Sequence, residues 1–161
     1  IGLALILVYG TGGWFGADLA AVGIQVIFST PGIVMAVIFV SLPFVAREVI
    51  PVLQEIGDDA EKAAETLGAS AWQTFRKITL PAIRWGVSYG IVLTTARALG
   101  EFGAVTVVSG NITGETQTLP LYVSQQFELF NSVGAYSASL ILAILALGTL
   151  LAMNLMRRGE D

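Results

Sequence analysis

The stretch Leu129-Phe-Asn-Ser-Val-Gly-Ala-Tyr-Ser-Ala-Ser-Leu-Ile-Leu-Ala-Ile-Leu-Ala-Leu-Gly-Thr-Leu-Leu-Ala-Met-Asn-Leu-Met156 carries no charged side chain. A helix needs about 20 predominantly apolar residues to cross a hydrocarbon core of about 30 Å. The run is continuous rather than alternating, which fits a spanning helix and not a barrel strand. Leu19–Ala46 reads the same way, and so does Trp85–Asn111, interrupted only by Arg97 and Glu101. Ile1–Ala17 is apolar to Tyr9 and then Gly-rich, too short for a full crossing. The expected fold class is all-α, a polytopic transmembrane helix bundle. Its spans are placed at about 1–10 (truncated), 24–50, 83–108 and 133–156. Pro31 is expected to open the second span and Pro43 to bend it.

Composition agrees. Of the 161 residues, 55% are hydrophobic and 12% charged, against about 25% charged in an ordinary soluble domain. The net charge of −4 supplies no basic patch for nucleic acid. There is no Cys and no His, which removes disulfides, the usual zinc sites and Cys- or His-centred nucleophiles. The chain starts at Ile1 with no basic residue ahead of its apolar run, which argues against an intact signal peptide and reads as a fragment of a longer protein.

Orientation follows from the cations. Arg47, Lys62, Arg76, Lys77 and Arg84 lie between the second and third apolar stretches, and Arg157 and Arg158 follow the last. Gly10–Gly23 and Ser109–Ser132 hold no Lys or Arg. The positive-inside rule makes the cation-rich side cytoplasmic. That assigns 51–82 to a cytoplasmic loop and 109–132 to an outer one.

A loop this long in a compact domain is a built object. Asp58 or Asp59 is placed to cap a helix Ala60–Leu67, Gly68 to end it in a left-handed conformation, and Ser70 with Gln73 to form a capping box for a second helix. Pro81 ends that helix or opens the next span. Small residues (Ala60, Ala63, Ala64) beside Trp72 and Phe75 suit a protrusion docking into a partner's cleft. They equally suit an amphipathic helix lying on the bilayer.

The pattern Ala63-Ala64-x-x-x-Gly68, followed by Ile78-x-Leu80-Pro81, resembles the cytoplasmic coupling-loop motif of ABC importer permeases. That motif's Glu falls at Lys62, with Glu61 one place earlier. Arg97-Ala-Leu-Gly-Glu101-Phe-Gly-Ala-Val105 and Val108-Ser-Gly-Asn-Ile-Thr-Gly-Glu-Thr-Gln-Thr-Leu-Pro120 are similar to the sulfate/molybdate group of these permeases, and most like the second sulfate/thiosulfate permease subunits. The resemblance covers nearly the whole chain and corresponds to the C-terminal part of a six-span permease. It implies ATP-driven import of sulfate or thiosulfate across a bacterial cytoplasmic (inner) membrane, with molybdate or tungstate as the alternative anion. It implies ATPase docking by Glu61, Ala63, Ala64, Gly68, Ile78, Leu80 and Pro81. The implied partners are a second permease subunit, two cytoplasmic ATPase subunits, an external sulfate-binding protein and the lipid bilayer. No cofactor is expected in this chain, because ATP and magnesium would sit on the ATPase.

Arg97 and Glu101 are four residues apart, where opposite charges on one helix face can pair. If the span enters the hydrocarbon near Trp85, Arg97 lies roughly 18 Å deep. A lone charge there costs at least about 2.5 kcal/mol. The pair either locks this helix to a neighbour or lines an anion path, with Glu101 limiting how tightly a dianion is held. Two other classes, a secondary transporter and a membrane enzyme, are weaker. The first has no use for a docking loop, and the second lacks any further buried polar constellation. The outer loop is rich in Thr and Gly, with Glu115 its only charge from Ser109 to Pro120. Leu121–Phe130 is expected to lie at the interface.

Overall fold

The computed structural model describes the backbone of residues 1–158 and the side chains of these except 153 and 155–158. Arg157 and Arg158 therefore enter the orientation argument by sequence alone, their side chains lying outside the described residues. The elements are α1 (Gly2–Tyr9), α2 (Gly16–Ala21), α3 (Thr30–Ile56), α4 (Asp59–Thr66), α5 (Ala71–Thr74), a π-helical turn (Phe75–Thr79), α6 (Leu80–Ala98), α7 (Gly103–Val108), α8 (Leu119–Glu128) and α9 (Ser132–Arg158). No strand occurs among the described residues, so the chain is all-α.

The second span begins later than 24 and ends later than 50. Gly23 (φ 79°) and Phe28 (φ 61°) turn the backbone before Thr30, and the intervening Val26 and Ile27 are buried instead of helical. Pro31 sits in the first turn of α3, where its missing N–H breaks no helical bond. The helix then continues through both Pro43 and Pro51 to Ile56 and stops at Gly57, whose φ is 70°. Pro51 was expected to begin the loop. It fails to end the helix because lateral packing of α3 on α6 holds the turns on either side of it in register. The loop proper thus begins at Gly57.

α3 and α6 form the principal seam, and two glycines set its register. A Cβ at Gly86 would lie 2.8 Å from Val52 Cγ2, and one at Gly90 would lie 3.2 Å from Glu48 Cβ. Moving four residues up α6 moves four residues back along α3, so the helices are antiparallel. Small residues here let two backbones approach closely inside a bilayer. Leucine at position 86 is expected to force the seam apart, at about 1–3 kcal/mol for overpacking. Thermal unfolding in detergent should move down for Gly86→Leu and recover in Gly86→Leu/Val52→Ala. An unchanged midpoint for the single variant would contradict this register.

The stretch 83–108 is not one helix. α6 ends at Ala98, Leu99–Phe102 are non-helical, and α7 resumes at Gly103. Gly100 and Gly103 weaken helix propagation there, and Glu101 bonds to backbone across the break instead of extending the helix. α9 packs on α6 and α8, while α7 packs on α1 and α3.

One cluster of buried apolar residues, Leu5, Val26, Ile27, Ala36 and Val108, gathers where α1, α3 and α7 meet. The long helices leave their large apolar side chains outside, among them Leu140, Ile144, Leu147 and Leu151 of α9, each at least 60% exposed. Thr30–Ile56 and Ser132–Ala152 are the two described helices long and apolar enough to cross a membrane. α6 is less apolar than either, since it carries Arg84 and Arg97 together with Ser88, Tyr89, Thr94 and Thr95.

The two loops lie at opposite ends of α3. At its start, Phe28 N–H donates to the Val108 carbonyl at 2.8 Å, which ties down the loop that follows α7. At its finish, Leu53 and Ile56 meet Ile78 and Thr79 of the loop between α3 and α6. The 27 residues between span about 40 Å, more than the hydrocarbon thickness of about 30 Å.

Candidate functional site

The loop between α3 and α6 is folded throughout. Asp58 is the N-cap residue of α4 but makes no side-chain cap bond. Its carboxylate pairs with Lys62 Nζ at 2.8 Å, and that hydrogen bond holds its pKa below the ordinary 3.8. The expected Asp cap is thus replaced by an exposed i,i+4 pair, which the next turn of helix brings within reach. Gly68 (φ 85°) follows α4 and reverses the chain, as expected of a left-handed helix stop. Ser70 and Gln73 form the expected capping box: Ser70 N–H donates to Gln73 Oε1 at 2.9 Å, and Gln73 N–H to Ser70 Oγ at 3.4 Å.

From Ala71 to Ala98 the backbone is helical without a stop, passing through the π turn. Pro81 opens α6 instead of ending the helix before it. Proline lacks the N–H for the helical bond and crowds the carbonyl four residues earlier, here Lys77. The wide π turn over Phe75–Thr79 re-spaces that carbonyl. The loop is therefore joined rigidly to α6.

The motif residues divide into two sets. Ala63, Gly68, Leu80 and Pro81 are exposed, while Ala64 is half-buried. Glu61 and Ile78 turn inward. The Thr79 hydroxyl donates to Glu61 Oε1, closing α4 onto the π turn. The space between them and Leu53, Ile56 and Ile83 is only about 10 Å³. Glu61 braces the loop, and its carboxylate is spent inside the fold. The outer surface carries Leu67, 88% exposed, and Trp72, 67% exposed and stacked on Phe75 at 5.7 Å. Leu67 escapes a motif reading; the signal for it was a large apolar residue immediately before a helix-ending glycine.

The second constellation sits at the far end of α6. Arg97 Nη1 donates to Glu101 Oε2 at 3.2 Å. The two are not on one helix, since Glu101 lies in the break. Its other oxygen accepts from Ala104 N–H at 3.1 Å, pinning it to the first turn of α7. The Arg97 guanidinium lies 4.2 Å from the ring centre of Phe44 on α3, within cation–π range. The Arg97 side chain is 40% exposed and that of Glu101 11%. Ser41 and Thr94 are buried with hydroxyls that lack a partner among the described residues. The seam register places both within a turn of this pair. Sequence reading found Arg97 and Glu101 but not Phe44, because only the register of α3 on α6 brings it there.

The structure thus combines long apolar helices, a folded two-helix loop at one end of the α3–α6 seam and a charged pair toward the other. Residues 1–158 match the family described as binding-protein-dependent transport system inner membrane component, and the chain belongs to that family. The family is one of membrane-embedded components of transport systems. It is 57% identical over 155 residues to the sulfate transport system permease protein CysW of Synechococcus elongatus, covering 96% of this chain and 54% of that one. It is 54% identical over 157 residues to the CysW protein of Synechocystis, covering 98% and 57%. Against the CysW protein of Escherichia coli K12 it is 47% identical over 156 residues, covering 97% and 54%. The chain spans about half the length of the curated relatives it matches.

Proposed function

We propose that this chain forms the C-terminal part of a multi-pass permease subunit in the bacterial inner membrane, moving sulfate or thiosulfate inward at the expense of ATP. The observation that carries the reading is the handle: a folded, two-helix loop at the cation-rich end of α3 and α6, with Leu67 and Trp72 presented outward. The relatives' printed names point to sulfate as the substrate.

In this reading two cytoplasmic ATPases, a second permease subunit and an external sulfate-binding protein complete the transporter. ATP and magnesium sit on the ATPases. Closure of the ATPases displaces the handle. The helix that runs unbroken from Ala71 to Ala98 carries that displacement to the break at Leu99–Phe102, beside Arg97. The seam then opens alternately to either side as a rigid-body motion.

The test is uptake of labelled sulfate by the full-length subunit with its partners in proteoliposomes. Uptake should require ATP and be competed by thiosulfate. Uptake that follows an ion gradient without ATP would overturn the proposal.

A further inference from the structure

Arg97 offers five N–H donors, and Glu101 is the sole hydrogen-bond partner of its guanidinium among the described residues. Glu101 cannot follow the guanidinium if it moves, because its second oxygen is held by Ala104 N–H. What seats the guanidinium independently of Glu101 is the Phe44 ring, 4.2 Å beneath it on a different helix. An aromatic face attracts a guanidinium without using any of its in-plane donors. The edge of Arg97 stays open, and its side chain is 40% exposed.

We propose that Phe44 is a positioning residue for anion passage. It keeps the Arg97 guanidinium in the path while a tetrahedral oxyanion dianion takes up the donors that Glu101 leaves open. This deepens the import reading above and rests on it. Arg97 has two counter-ions competing for it, one fixed and one mobile. The fixed one keeps the mobile one from being trapped, as passage demands. Without the ring, the guanidinium would be free to turn its donors onto Glu101, which Ala104 N–H holds fixed at the start of α7, and the dianion would meet a more fully paired arginine.

The experiment measures KM and kcat of ATP-driven sulfate uptake in the assembled full-length transporter, for wild type, Phe44→Leu, Phe44→Met and Phe44→Tyr. The two ring-free variants should raise KM by about threefold to tenfold, the range of a lost cation–π contact, with kcat little changed. Phe44→Tyr keeps the ring face and should restore KM to within about twofold of wild type on the same basis. Glu101→Gln should act in the opposite sense, lowering KM and slowing kcat. If Phe44→Tyr is as impaired as Phe44→Leu, or if the ring-free variants lower kcat with KM unmoved, Phe44 serves packing alone and the proposal falls. Phe44→Met keeps most of the side-chain volume, so it decides the matter should Phe44→Leu fail to assemble. Normal wild-type uptake with unaltered variants overturns the Phe44 assignment only. Absence of ATP-driven sulfate uptake in the wild type overturns the import reading together with it.

Discussion

Replacing Arg97 with alanine is expected to abolish sulfate uptake while leaving the transporter assembled. The side chain contributes little to core packing: it is 40% exposed, and its contacts are one carboxylate and one ring face. Its removal leaves Glu101 still bonded to Ala104 N–H, so the break and α7 keep their anchor. What disappears is the positive charge in the seam. A dianion passing a low-dielectric region would then face Glu101 alone, and like-charge repulsion there is unscreened. A hundredfold loss in uptake corresponds to about 2.7 kcal/mol, within the value of one desolvated charge. Arg97→Lys keeps the charge but loses the planar fork and stacking geometry, and should retain partial uptake. The measurement is ATP-driven uptake paired with co-purification of all subunits. Normal uptake by an assembled Arg97→Ala transporter would remove the pair from the path and leave it as a helix lock.

The second large effect is expected at the handle. Leu67→Asp with Trp72→Asp should strip the ATPase from the membrane subunits and abolish uptake. Both side chains are mostly in solvent, at 88% and 67%, so the substitution does not open a core. Exposed large apolar residues on a rigid, capped turn are the kind of anchor that dominates interfaces, each costing about 2 kcal/mol or more when lost. Two together come to about 4 kcal/mol, close to a thousandfold in affinity at about 1.4 kcal/mol per tenfold. Co-purification of tagged permease with ATPase reads this directly. If the segment instead lies on the bilayer as an amphipathic helix, the ATPase will stay bound in the double variant, and the docking role is refuted.

The two constellations differ in how far sequence could reach them. The handle's internal stops were legible: Gly68 and the Ser70–Gln73 box act over three or four residues, and the same atoms decide in any context. The charged pair was legible as a spacing, but its geometry was misread. A single helix across 83–108 looked continuous by hydropathy, whereas Glu101 breaks it by bonding to Ala104 N–H. The role of Glu61 was likewise out of reach, because Thr79 on the far side of the loop claims its carboxylate.

From its residues alone the chain declared a helical membrane protein with seven of its eight cations on one side, because hydrophobic transfer and helix capping depend on composition and short spacing. The tertiary structure decided which helix face meets which. Gly86 and Gly90 against Val52 and Glu48 set how α3 lies on α6. That register carries α3 through Pro51 and brings Phe44 under Arg97. Such pairings join positions far apart in the chain, and close packing of two particular surfaces, not any local preference, selects them.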